Sequence, residues 1–132
     1  MVINFNPKYI PGDIVYNHKK EIIRITSSYL KGTKLFYYRD GEYGWIREDA
    51  IKPITLTPEI LKKNGWRTQN RWYYYLDVAE GFISYIGIDF KHKFNKGHLY
   101  VEVDGNNMVE IQYCHELQHL LFGLGLNSEI EV

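Results

Sequence analysis

An excess of charge, disulfide chemistry and membrane-length apolar runs are all missing from this chain. Sixteen Lys and Arg balance sixteen Asp and Glu over 132 residues, so no global field steers the protein toward nucleic acid or an anionic membrane, although local patches remain open. Cys114 is the only cysteine; it excludes an internal disulfide and suits a reducing interior. No stretch approaches the roughly 20 apolar residues that cross a bilayer. Residues 1–8 lack the charged lead and apolar run of an export signal. The expectation is a cytoplasmic protein with no membrane partner. Repeats and low-complexity segments are absent as well. What is abundant is aromatic: twelve Tyr, six Phe and three Trp, mostly in short alternating runs that favour strands.

From Ile10 to Ile54 the pattern is short strands broken by turns. Gly12-Asp13 leads into Ile14-Val15-Tyr16, and Asn17-His18-Lys19-Lys20 reads as a polar turn. Glu21 to Thr26 and Lys34 to Arg39 are strands, and Asp40-Gly41 is a hairpin turn into Tyr43 to Arg47. Glu48 to Ile51 suits one helical turn. The order of a Gly-Asp-x-Val start, two strands, a Trp strand, a helical turn and Ile-x-Pro resembles an SH3-like barrel.

Leu56 to Trp66 carries the clearest local signal. Thr57 is an N-cap, Pro58 takes the first helical position, Glu59 complements the helix dipole and Gly65 ends a helix over 58–64. Three strands follow, over Arg71 to Val78, Phe82 to Ile88 and His98 to Val103, with a short one around Val109 and Ile111. An amphipathic helix is expected over 112–122, and Ser128 to Val132 as a returning edge strand. The fold class expected is α+β: a small SH3-like β-barrel over 1–54, then, over 55–132, an antiparallel β-meander packed against one long C-terminal helix.

That last helix contains His115-Glu116-Leu117-Gln118-His119, the H-E-x-x-H pattern of zinc hydrolases. There two His four residues apart ligate one metal and the Glu serves as general base for a bound water. A third ligand is missing: the metzincin extension places Gly at Phe122 and His at Gly125, and neither fits. With five His in the chain, such a pattern arises by chance in roughly one chain in a hundred. Tyr113, Leu117, Leu120, Leu121 and Leu124 trace an apolar stripe. The preferred reading buries Leu117 and Leu121 and leaves His115 and His119 solvated or hydrogen-bonded on a polar face, with no cofactor. The alternative is a minimal zinc-dependent hydrolase (metalloprotease) with His115 and His119 on zinc and Glu116 as base. Cys114 lacks the partner or basic setting of a nucleophile.

Three stretches taken together resemble a family of uncharacterised small proteins encoded in gut anaerobes, their prophages and other mobile elements. They are Gly12-Asp13-Ile14-Val15, the run Ile51 to Trp66, and Tyr113 to Leu120 with the tail Glu129-Ile130-Glu131-Val132. In that family the position of His119 is usually Asn and that of Glu116 often Gln. The resemblance therefore implies that H-E-x-x-H is a variant of a motif without metal chemistry, and it carries no established activity.

Two other features suggest binding. The loop holding Lys91, Lys93 and Lys96 beside Phe90 and Phe94 suits a phosphate backbone, against the plainer reading of a solvated connection. Trp45, Tyr73 and Tyr75 are candidates for an aromatic contact surface. The expectation is a non-enzymatic binding or accessory protein of phage or mobile-element origin, with a protein or nucleic-acid partner.

Overall fold

The structure, a computed structural model, describes residues 8–41, 44–78, 82–90 and 99–132. The chain divides into two compact units, Met1–Ile54 with Leu117–Glu129, and Thr55–Glu116 with Ile130–Val132.

In the first unit, strands β1 (Ile14–Tyr16), β2 (Ile22–Lys31), β3 (Lys34–Arg39) and β4 (Ile46–Arg47) form one antiparallel sheet in the order β1-β2-β3-β4. Strand β2 continues past its predicted end at Thr26, because Gly32 at φ +63° closes a tight turn that pairs Lys31 with Lys34. Val15, Ile23, Ile25, Tyr37 and Ile46 point inward and pack with Tyr9 and Ile51. A phenol this deep needs polar partners. The Tyr37 hydroxyl accepts from the backbone N–H groups of Lys8 and Tyr9 and donates to Glu48. Burial, reinforced by the Glu48 carboxylate, holds this phenol well above the usual tyrosine range.

The second unit opens with helix α1 (Pro58–Lys63). Thr57 Oγ1 accepts from the Ile60 N–H. At the other end Trp66 N–H reaches Leu61 O and Gly65 N–H reaches Lys62 O, with Gly65 at φ +85°. That double closure is the Schellman motif, available because glycine adopts the left-handed conformation without strain. Strands β5 (Arg67–Thr68), β6 (Tyr73–Asp77), β7 (Tyr85–Asp89), β8 (Leu99–Val103) and β9 (Asn106–Ile111) follow as an antiparallel meander in sequential order. Tyr74, Ile86, Ile88, Leu99, Val101 and Ile111 are its buried positions.

Helix α2 is Cys114–Gly123, ten residues. Leu126 N–H to Leu121 O and Gly125 N–H to Phe122 O close it with a second Schellman motif, Gly125 standing at φ +74°.

Several expectations need correction. The α+β class with one long C-terminal helix does not hold, although the antiparallel meander of the second unit is present as expected. The fold is mostly β, two antiparallel sheets of four and five strands, and its helices are short because a glycine stops each one. The first sheet runs in the order β1-β2-β3-β4, and an isolated antiparallel bridge joins Tyr16 of β1 to Lys52. The helix face also differs, since the buried positions are Cys114, His115, Leu117, Gln118 and Leu121. Leu117 and Leu121 are core as expected, but His115 is buried too, at 4% exposure. Phe82 lies outside β7 and is fully exposed. Ser128 to Val132 forms no strand; instead the tail is held by side chains. Asn64 bonds both the N–H and the C=O of Glu131, at 2.8 and 2.7 Å, and Lys63 Nζ reaches Val132 O at 3.1 Å.

Candidate functional site

Each polar residue of the H-E-x-x-H run has a local task. Glu116 is the third residue of helix α2, and its Oε1 accepts from the backbone N–H groups of Gln112 and Tyr113, both at 3.0 Å. That is the carboxylate half of a capping box, which satisfies donors the first turn leaves over. A carboxylate held this way faces backbone amides where a general base must face a water. The His115 ring lies parallel to Tyr113, at 5.8 Å between centroids and 13° between planes. His119 Nε2 meets Asp13 Oδ2 at 2.7 Å. Among the described residues no group of three or more His, Cys, Asp or Glu is placed to share a metal ion. The neighbouring Cys114 thiol is fully buried and pushed up to about 12 by that burial, so it is held protonated.

Asp13 and Gln118 form a buried polar clasp in the first unit. Asp13, 1% exposed, also accepts the Ile10 N–H at 2.9 Å. Gln118 accepts from Ile14 N–H at 3.0 Å and donates to Gly12 O at 2.9 Å and Ser128 O at 3.1 Å. One amide therefore serves three backbone groups from distant parts of the sequence. Burial pushes the Asp13 carboxyl upward; the Ile10 N–H and then the His119 bond and charge pull it back part of the way. Gly12-Asp13 and Gln118-His119, conspicuous as separate sequence motifs, are two halves of one structural element. Nothing in the sequence marks them as partners, because they stand about a hundred positions apart.

Trp45 sits on the outward face of the first sheet. The register puts Ser27 and Tyr38, then Tyr29, Phe36 and Arg47, then Lys31 and Lys34, on the face opposite buried Tyr37 and Ile46. Trp45 stacks on Tyr38 at 3.5 Å and on Tyr29 at 4.6 Å between centroids. Even so, Trp45 remains 41% and Tyr29 46% exposed. Tyr29, Lys31, Phe36 and Trp45 line a cleft of about 230 Å³. No carboxylate stands in these rows of paired residues. Asp49 approaches from the edge and meets Arg47 at 2.7 Å, both side chains being half exposed or more. A second cleft, about 390 Å³, is bordered by Lys8, Lys34 and Arg47 but also by Glu48 and Asp49, so its charge is mixed.

Tyr73 and Tyr75 belong to the other unit, in chemically opposite surroundings. Cross-strand pairing sets Tyr73 beside Asp89 and Asp89 beside Tyr100, Tyr100 beside Glu110, Tyr75 beside Gly87 and Gly87 beside Glu102. Tyrosines and carboxylates alternate across this face, which is turned away from Ile86 and Ile88. The Tyr73 ring crosses strand β7 over Gly87, where a Cβ would collide with it, and its hydroxyl reaches Glu102 at 3.1 Å. Arg67 lies over the Tyr75 ring at 5.7 Å and meets Asp77 at 3.3 Å. Trp45 therefore packs on a different sheet from that of Tyr73 and Tyr75. The remaining candidates, Lys91, Lys93 and Lys96, lie outside the described residues.

Sequence reasoning singled out Trp45 but missed Tyr29, Phe36, Lys31 and Lys34 around it. The signal was present as alternation within β2 and β3, and it needed the register of the β2–β3 hairpin to be read as one face. No family model, curated protein or solved structure matches this chain.

Proposed function

We propose that this protein acts by binding and not by catalysis, as an accessory protein of phage or mobile-element origin whose partner is nucleic acid. A cytoplasmic setting belongs to the same proposal and draws on the single buried thiol. The observation that carries the reading is the outward face of the first sheet, where Lys31, Lys34 and Arg47 flank exposed Trp45 and Tyr29. Cations held beside exposed rings suit a polyanion that also offers apolar faces. The chain's neutrality does not oppose this, because the balancing carboxylates include those on the second sheet, Glu102 and Asp77 among them. The origin rests on the sequence resemblance alone.

The test is binding of labelled oligonucleotides, single- and double-stranded, over a range of salt. Three phosphate contacts give a slope of log K on log salt near about −2 for a single strand. The triple variant Lys31→Ala, Lys34→Ala, Arg47→Ala should lose most of the affinity and most of the slope. Equal binding by parent and variant would remove this face from the function.

A second reading has its own observation. The tyrosine–carboxylate face around Tyr73, Tyr75 and Glu102 repels phosphate and suits a lysine- or arginine-bearing segment of a protein. Arg67, seated on Tyr75 and Asp77, shows that such a pair accepts a cation of the chain itself.

A further inference from the structure

We infer that the Trp45 face takes single-stranded nucleic acid, with bases stacking at the cleft between Tyr29 and Trp45. The inference rests on the nucleic-acid reading and adds the strand state and the mode of contact. It follows from what the face offers. A duplex already stacks its bases on one another and presents phosphates and groove edges, so exposed rings gain little from it; a single strand has free base faces.

The geometry agrees. Trp45, Tyr38 and Tyr29 form a continuous ring surface, with tilts of 33° and 32° between neighbouring planes. Two of its members remain more than two-fifths exposed after stacking on each other. At about 230 Å³ the cleft they share with Phe36 and Lys31 falls below the roughly 300–1,000 Å³ of pockets for drug-sized ligands. It suits one flat ring and not a whole folded ligand. Lys31 stands at the rim, and Lys34 is its direct partner across the hairpin. Arg47 extends the row Tyr29, Phe36. Positive charge thus lies along one margin of the rings, where Lys34 and Arg47 also border the neighbouring cleft, and the phosphates flanking a stacked base would run along that margin. The ion pair of Arg47 with Asp49 is exposed, and pairs of that kind contribute little and yield readily to a competing anion.

An acidic protein segment is the rival occupant of a basic aromatic face. It would meet the cations but would leave the rings without planar partners, which makes ring dependence the discriminating readout.

The experiment uses the full chain and measures fluorescence anisotropy of a labelled twelve-nucleotide oligo-dT and of a hairpin duplex of equal charge, at two salt concentrations. The proteins are the parent, Trp45→Phe, and the double variant Tyr29→Ala, Trp45→Ala, with circular dichroism melts as the folding control. We expect the single strand to bind at least about tenfold more tightly than the duplex. The double variant should lose about tenfold or more on the single strand while changing little on the duplex, as expected for base–aromatic stacking. Trp45→Phe, which keeps a ring, should retain most of the affinity. Equal binding of both nucleic acids, or a double variant that folds and binds like the parent, would overturn the stacking inference. The nucleic-acid reading would then stand only if the Lys31, Lys34, Arg47 variant still lost binding. No binding of either nucleic acid would overturn both, and an acidic peptide would be the probe for the rival.

Discussion

Asp13 is the residue at which burial and charge oppose each other most plainly. Its carboxyl is raised above the ordinary value of 3.8, first by desolvation, with Ile10 and His119 countering in part. The unfolded chain therefore releases this proton at lower pH than the folded protein does. Stability from the group is full below that ordinary value and is lost as pH rises through the raised one. We expect the stability of the parent, relative to Asp13→Asn, to fall as pH climbs through that window and then level off. Removing His119 takes away the bond and charge that lower the carboxyl, so in His119→Ala the fall should continue to higher pH. Urea melts from pH 4 to 7 on the three proteins measure this; a constant difference between parent and Asp13→Asn would show that Asp13 does not titrate across the window. His119→Ala should also cost about 1–2 kcal/mol, since the buried Asp13 carboxyl group loses a hydrogen-bond partner. From the sequence alone His119 was a solvated or hydrogen-bonded residue of a polar helix face, and its partner had no name, because a distant Asp cannot be matched to a His by spacing.

At the scale of elements, helix α2 decides how the H-E-x-x-H run is understood. A capping carboxylate and a catalytic base answer differently to substitution. Glu116→Ala leaves two backbone N–H groups without their acceptor and should cost about 1 kcal/mol, in the range of lost helix caps. Glu116→Gln keeps an acceptor oxygen and should cost less. In the hydrolase alternative both changes would abolish activity and leave stability nearly unchanged. Added zinc should not move the melting temperature of the parent. A zinc-dependent rise that His115→Ala lacks would restore the metal site. The ends of both helices were legible in advance: Thr57, Pro58 and Gly65 around α1, and the glycines after Phe122 for α2. The rotation of α2 was not. Leu120 and Leu124 are only half-buried whereas Gln118 is buried, because the three hydrogen bonds of its amide offset the cost of taking it out of water.

For the whole molecule, a net charge of zero conceals two sheet faces of opposite character, one with Lys31, Lys34 and Arg47 and one with Asp77, Asp89 and Glu102. If each face has its own ligand, charge changes should act locally. Asp77→Asn with Glu102→Gln should weaken binding of an arginine-rich peptide several-fold and leave oligo-dT binding unaltered. The Lys31, Lys34, Arg47 variant should do the reverse. Anisotropy titrations with both probes decide it, and a loss of both ligands from either variant would show that the faces are not independent. No helix among the described residues is long and apolar enough to cross a membrane.

The sequence by itself determined the local punctuation: where strands β1 and β3 run, where α1 begins and ends, and that Leu117 and Leu121 are core. These follow from side-chain periodicity, caps and glycine conformations, all of which act over a few residues. Only the tertiary structure decided the balance of the fold toward β, the pairing of Asp13 with His119 and the threefold use of Gln118. It also decided the assignment of Trp45 to one sheet and of Tyr73 and Tyr75 to the other, and the assembly of Tyr29, Phe36 and two lysines around Trp45. Strand register and long-range hydrogen bonds set these features. A change of one residue in register turns every side chain of a strand to the other face, and no local pattern in a single chain fixes which distant partner a buried polar group will find.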